Sequence, residues 1–185
     1  MKPENKFVRI YWVIPRVREE FLSVTKEELA YISGFLDGDG CVMLQLVARA
    51  GYKLGYQIRA SIVFYQKLKH KDFLVWLKSE LKYGYIRERN DGMCEYTIVG
   101  VVPVTNILKL LKPYLKLKNK QAKLALSILL KMPKKGRNIN PKLLLLLAKE
   151  VDKFVDLNYS KKRTNTSEKI EEFYKSHNIS LSRRD

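Results

Sequence analysis

The stretch Ile32-Ser33-Gly34-Phe35-Leu36-Asp37-Gly38-Asp39-Gly40 closes an apolar helical run with two carboxylates separated by a single glycine. Thr25 followed by Glu28 has the form of a capping box, so the run opens as a helix near residue 25. Gly38 and Gly40 are poor helix formers and stop it where the acids stand. A carboxylate and an exposed carbonyl at a helix C-terminus are hard oxygen donors suited to Mg²⁺, and the negative end of the helix dipole favours a cation there. Ser33 and Gly34 are small, which lets a second helix approach closely. Asp-Gly pairs also make ordinary turns, so the reading rests on the whole nine-residue pattern and not on its last four residues. The pattern occurs once in the chain.

Beyond Gly40 the periodicity changes from helical to alternating. Val42, Leu44 and Leu46, followed after a turn around residues 50–55 by Ile58, Ala60, Ile62 and Phe64, form one apolar face of a β-hairpin. Met43, Gln45, Gln57, Arg59, Ser61 and Val63 fall on the other face. Residues 71–82 have helical spacing, with Phe73, Leu74, Leu77 and Leu81 as the apolar stripe. A second hairpin is predicted over 84–89 and 94–99, turning at Asn90-Asp91-Gly92. Helices are then predicted over 103–111, 118–131 and 141–158, and a last short one after a Ser/Thr/Lys-rich joint at 160–167. The order is helix, two strands, helix, two strands, helices. That is an α+β arrangement with helices packed on one side of a single antiparallel sheet.

The chain has 185 residues, 36 Lys and Arg against 19 Asp and Glu, and a net charge of +17. Such an excess is the footprint of a polyanion binder. A hydrophobic content of 46% supports a core, which separates the chain from basic disordered tails. Cys41 and Cys94, with His70 and His177, have neither zinc-ligand spacing nor a disulfide framework, and a reduced intracellular setting follows. The longest purely apolar run, Leu143 to Ala148, is far short of the ~20 residues that span a bilayer. A soluble protein with no membrane partner is expected, in the cytoplasm of a prokaryote or in an organelle. Residues 1–24 read as an N-terminal extension, 25–160 as the main domain, and 161–185 as a C-terminal helix with a basic tail at Arg183-Arg184.

The nine-residue motif resembles the signature of the LAGLIDADG homing endonucleases, and the likeness runs from about Lys26 to Glu168. It is nearest to the single-motif, homodimeric members encoded within ribosomal RNA introns. The resemblance implies an α-β-β-α-β-β-α fold whose curved antiparallel sheet forms a DNA-binding saddle. It also implies a homodimer in which motif helices pack together through Ser33 and Gly34, with Asp37 supporting the turn and helping to structure the interface. Asp39 would bind Mg²⁺ beside a scissile phosphate, with the Gly38 carbonyl as a second ligand; Mn²⁺ or Ca²⁺ would substitute for binding. Gln66 matches the family's glutamine after the second strand, and Lys118 its lysine opposite the scissile phosphate. Where close relatives carry an arginine this chain has His70, with Lys69 and Lys71 as alternative occupants of that role.

The implied DNA-reading face comprises Met43, Gln45, Arg49, Tyr52, Gln57, Arg59, Ser61 and Val63 from the first hairpin. Tyr85, Arg87, Arg89, Glu95 and Thr97 come from the second. Arg to guanine and Gln to adenine are the pairings major-groove geometry favours, and Met43 and Val63 suit thymine methyls. From Met43 to Gln66 there are three basic residues and no acid. The implied reaction is hydrolysis of one phosphodiester per strand of a long pseudo-palindromic duplex, with no small-molecule substrate. An RNA maturase or a DNA-binding regulator of the same fold, neither of which cuts, are the alternatives; the joint presence of Asp39, Gln66 and Lys118 favours cleavage.

Overall fold

The computed structural model describes residues 24–133, 139–157 and 164–181. The N-terminal extension (but for Val24) and the Arg183-Arg184 tail lie outside them. Helix α1 (Lys26–Asp39) opens on the expected capping box: the Thr25 hydroxyl accepts from the Glu28 amide at 3.2 Å, and the Glu28 carboxylate accepts from the Thr25 amide at 2.8 Å. The helix runs through Gly38 to Asp39 and is capped at Gly40, within the Gly38–Gly40 stretch that the glycines suggest. Gly40 is required there, because a Cβ would sit 2.5 Å from Leu36 Cδ1 and 2.9 Å from the Leu36 carbonyl.

Strands β1 (Gly40–Ala48) and β2 (Tyr56–Lys67) follow, then a 3₁₀ turn (Leu68–His70), α2 (Lys71–Leu81), β3 (Tyr85–Glu88) and β4 (Met93–Val99). The sheet is antiparallel in the order β1-β2-β4-β3, so β1 and β3 are its edges. Gln45 pairs with Arg59 and Met43 with Ser61, which confirms the alternation read from the sequence. The Val42, Leu44, Ile62, Phe64, Tyr96 and Ile98 side chains all lie on one face, at most 2% exposed, against Ile32 and Leu36 of α1. Each such burial stabilises the fold by roughly 1.5–3 kcal/mol.

The remaining helices are α3 (Val101–Leu111), α4 (Asn119–Leu129), α5 (Pro141–Asp152) and α6 (Ser167–Ser176). Helix α3 begins two residues before Pro103, whose missing N–H costs nothing in a first turn, and Gly100 at φ +113 makes the junction. Helix α5 is shorter than its apolar pattern predicts. From Lys153 to Asp156 the chain tightens into a 3₁₀ turn that drives Phe154, fully buried, into the core. The C-terminal helix is no appendage: Ile170 and Tyr174 of α6 belong to the same core cluster as the sheet. No described helix is long and apolar enough to cross a membrane.

Candidate active site and nucleic-acid face

The α1 C-terminus, the start of β1 and the loop before α4 meet at one end of the sheet. The two motif acids part company there. The Asp37 side chain is 9% exposed and turned into its own chain, where its carboxylate accepts from the amides of Lys116 (2.6 Å), Leu117 (3.1 Å) and Lys118 (2.8 Å). The Lys118 ammonium returns to the Asp37 carbonyl at 2.5 Å. Asp37 therefore staples the 116–118 loop to the motif helix and fixes where Lys118 points. Ser33 is likewise internal, fully buried, with its hydroxyl donating to the Leu111 carbonyl of α3 at 3.1 Å. Hydrogen bonds inside the chain claim both side chains: Ser33, expected with Gly34 on a helix face open to a partner, is internal, and Asp37 supports the turn as expected.

Asp39, by contrast, is exposed, and its carboxylate has no hydrogen bond or ion pair among the described residues. Gly38 beside it is exposed too. A free hard-oxygen donor at a helix C-terminus fits a divalent cation. No cluster of three or more His, Cys, Asp or Glu able to hold a metal occurs among the described residues. Lys118 also faces Cys41, the second residue of β1: burial pushes the Cys41 thiol up, and the Lys118 ammonium pulls it the other way. Gly40 pairs with Phe64, so Gln66, two residues on, stands at the same end of the sheet as Asp39. The Gln66 Oε1 accepts from the Lys67 amide at 2.9 Å, which turns the side chain back on its own strand and caps no helix. Of the three candidates for the remaining basic role, Lys71 is engaged. Its ammonium lies 2.6 Å from Glu88, and that hydrogen bond holds it above its ordinary pKa. His70 and Lys69 are exposed.

The open sheet face has a floor and a rim. Ser61, Val63 and Thr97 are only 2–4% exposed and Glu95 9%, so these four, expected as direct contacts, form the floor. The central strands are flanked by longer side chains that cover them. Gln45 on β1, Tyr85 and Arg87 on β3, Arg89 after it, and Arg49 and Tyr52 in the first hairpin turn make the exposed rim, with Met43, Gln57 and Arg59 half-buried between. Three of the arginines are held by an acceptor. Gln57 Oε1, with its amide oriented toward the guanidinium, accepts from Arg49 Nε at 2.9 Å and Nη2 at 3.1 Å. Glu95 pairs with Arg87 at 2.8 Å, and Asp91 with Arg89 at 2.6 Å. Arg59 has no such brace: its Nε is buried and unpaired among the described residues. Glu95 thus orients guanidinium groups from the floor, a role its spacing from Arg87 could not reveal. An open groove of about 950 Å³ runs from Asp37 and Gly38 along β1 to Leu46, walled by Lys118, Lys120 and Gln121.

A family model described as LAGLIDADG endonuclease matches residues 32–128. The chain is 38% identical over 148 residues to DNA endonuclease I-CvuI of Chlorella vulgaris, spanning 80% of this chain and 90% of that one. The chain belongs to the LAGLIDADG endonuclease family. It is also 37% identical over 145 residues to DNA endonuclease I-CreI of Chlamydomonas reinhardtii, spanning 78% of this chain and 87% of the relative. The crystal structure of I-CvuI in complex with its target in the presence of Ca superposes with a TM-score of 0.78 at 36% identity, covering 88% of this chain and 98% of that one. An archaeal intron-encoded homing endonuclease, I-Vdi141I, shares the fold at a TM-score of 0.72 and 15% identity. As a family member this protein is a site-specific DNA endonuclease, and the α+β sheet-and-helix fold expected from the motif is the one it adopts.

Proposed function

We propose that two copies of this chain hydrolyse one phosphodiester in each strand of a long, nearly palindromic DNA duplex, with Mg²⁺ as the cofactor. The observation that carries this is the split fate of the motif acids: Asp37 is held by internal hydrogen bonds to the loop that carries Lys118, while Asp39, two residues on, is left free at the exposed helix end. Asp39 and the Gly38 carbonyl would hold the cation, whose charge would polarise the scissile phosphate and favour the leaving oxygen. Lys118, anchored through the Asp37 carbonyl, would neutralise charge that grows on the phosphoryl oxygens in the transition state. Gln66 would orient the attacking water through its amide. The rim arginines would dock in the major groove, with the half-buried Arg59 between them.

Pairing of two chains is supported by the outer face of α1. Ala30, Gly34 and Gly38 recur every four residues on it and all three are exposed. A Cβ added at Gly34 or Gly38 would meet nothing within 4 Å, so the chain gains nothing internally from either glycine. Each costs roughly 0.5–1 kcal/mol of helix stability relative to alanine, a cost that close approach by an outside helix accounts for. Tyr31, 59% exposed, and Leu117, 72% exposed, flank the stripe with apolar surface. Gly34→Leu should therefore yield monomers in sedimentation; an unchanged dimer would refute the packing.

The direct test is selection of a target from a randomised duplex library, followed by incubation with pure protein. Mg²⁺-dependent cutting of both strands at a two-fold symmetric site is expected, abolished by a chelator. Tight RNA binding with no cutting of any duplex would favour the maturase reading. Affinity should fall about 10³–10⁵-fold between 50 and 200 mM salt if roughly six to ten phosphates are neutralised; a flat salt dependence would exclude the basic face as the docking surface. Arg59→Ala should relax preference at one base pair of each half-site by about 1–3 kcal/mol and leave the others unchanged.

A further inference from the structure

The tip of the first hairpin is held by a residue from the far end of the chain. Its turn closes through Arg49 N–H to the Gly55 carbonyl at 2.8 Å and Gly55 N–H to the Tyr52 carbonyl at 2.8 Å. Gly55 has φ +67, and a Cβ there would lie 2.3–2.8 Å from the Phe173 ring, so the ring occupies the notch that the missing side chain leaves. Phe173 meets the next residue, Tyr56, edge-to-face at 5.7 Å and is backed by the His177 ring, stacked 3.9 Å away. His177 is itself fixed, its Nδ1 within 3.0 Å of the Phe173 carbonyl and 2.9 Å of the Ser176 hydroxyl.

Helix α6, which carries the ring, is anchored independently of the hairpin tip. Ser167 N–H donates to Asp152 of α5 at 2.9 Å, and Ile170 and Tyr174 are buried in the core. Just before the helix, Asn165 donates to the Leu46 carbonyl of edge strand β1 at 2.9 Å. The hairpin beyond Leu46 would otherwise project as a two-stranded ribbon, and such ribbons are marginally stable alone. Its tip carries Arg49 and Tyr52, and Gln57 just inside it braces Arg49.

We infer that Phe173 is a positioning residue for DNA recognition: its ring, seated on Gly55, sets the pitch of the hairpin tip and so the placement of Arg49 and Tyr52 on the base pairs farthest from the cut. This rests on the sheet face being the DNA reader. The C-terminal helix thereby governs specificity without touching a base. The chemistry end of the sheet, at Asp39 and Lys118, is remote from the contact and is not affected.

The test uses the full chain with Phe173→Ala, Phe173→Leu and Gly55→Ala. Hydrogen exchange on the free protein reads the positioning without DNA. In Phe173→Ala the Arg49 and Gly55 amides should exchange at least about ten-fold faster while those of Val42 and Ile62 keep their protection. Cleavage of single-base-pair variants of the selected target reads the consequence. Discrimination at the outer base pairs of each half-site should drop about ten-fold, with discrimination near the cut and the single-turnover rate on the preferred target unchanged. Phe173→Leu should restore part of the loss. Gly55→Ala, which pushes the ring out of its notch, should reproduce it. Unchanged exchange at Arg49 and Gly55, faster exchange throughout, or an equal loss of discrimination at every position would each overturn the proposal. If the tip amides respond as expected but no base-pair preference moves, the DNA-reading assignment of the hairpin is what fails.

Discussion

Asp39→Asn is expected to reduce cleavage by at least about 10³-fold while specific duplex binding stays within a few-fold of the parent. The substitution keeps size and hydrogen-bonding capacity and removes the one negative charge at the free end of α1. Nothing inside the chain depends on that charge, since Asp39 is exposed and has no hydrogen bond or ion pair among the described residues. Folding stability should therefore shift by less than roughly 0.5 kcal/mol, the usual range for surface changes away from special features. A loss of some 4 kcal/mol of transition-state stabilisation corresponds to the expected rate effect. Cleavage in Mg²⁺ and gel-shift binding in Ca²⁺, measured on the same duplex, separate the two quantities. Loss of binding and cutting together would assign Asp39 a structural role.

The neighbouring acid should behave in the opposite sense. Asp37→Ala removes the acceptor of three backbone amides and loosens the loop that carries Lys118. Charge-assisted hydrogen bonds of this kind are worth about 1.5–3 kcal/mol each, and part-buried donors recover some of that from water. A net destabilisation of roughly 2–4 kcal/mol is expected in urea unfolding, with Asp37→Asn intermediate because one amide oxygen can still accept. Cleavage should fall as well, because Lys118 loses its placement. An Asp37→Ala protein as stable as the parent would show that the loop is held by something other than this carboxylate. Two acids separated by a single glycine thus divide the work, one for the fold and one for the chemistry.

That division was only partly legible in the sequence. The helix, its capping box and the alternation of β1 and β2 could be read directly, because period and cap are local signals. The face that Gln45 and Arg59 share follows from the same alternation, and the structure sets the two opposite each other. That Asp37 supports the turn was expected, but the amides it holds could not be read, since they lie about eighty residues away and no local pattern announces them. Ser33 misled for a related reason. A small residue suits an outside helix and an inside one equally, and α3 claims it. The burial of Ser61, Val63 and Thr97 reflects neighbours on adjacent strands, which one strand's pattern does not contain. The seat of Phe173 on Gly55 joins residues more than a hundred positions apart, and the sequence shows only an aromatic residue on a short helix.

The central claim is that each copy of the chain contributes one Asp39 and thereby one cut. It is tested most directly with a mixed dimer, one subunit native and the other Asp39→Asn, purified through two different affinity tags and applied to a supercoiled plasmid bearing the selected target. The account predicts open-circular DNA nicked in a single strand, at about half the native rate of first-strand cutting, with no linear product. Linear plasmid from the mixed dimer, or linear plasmid from a strictly monomeric preparation of the native chain, would contradict it.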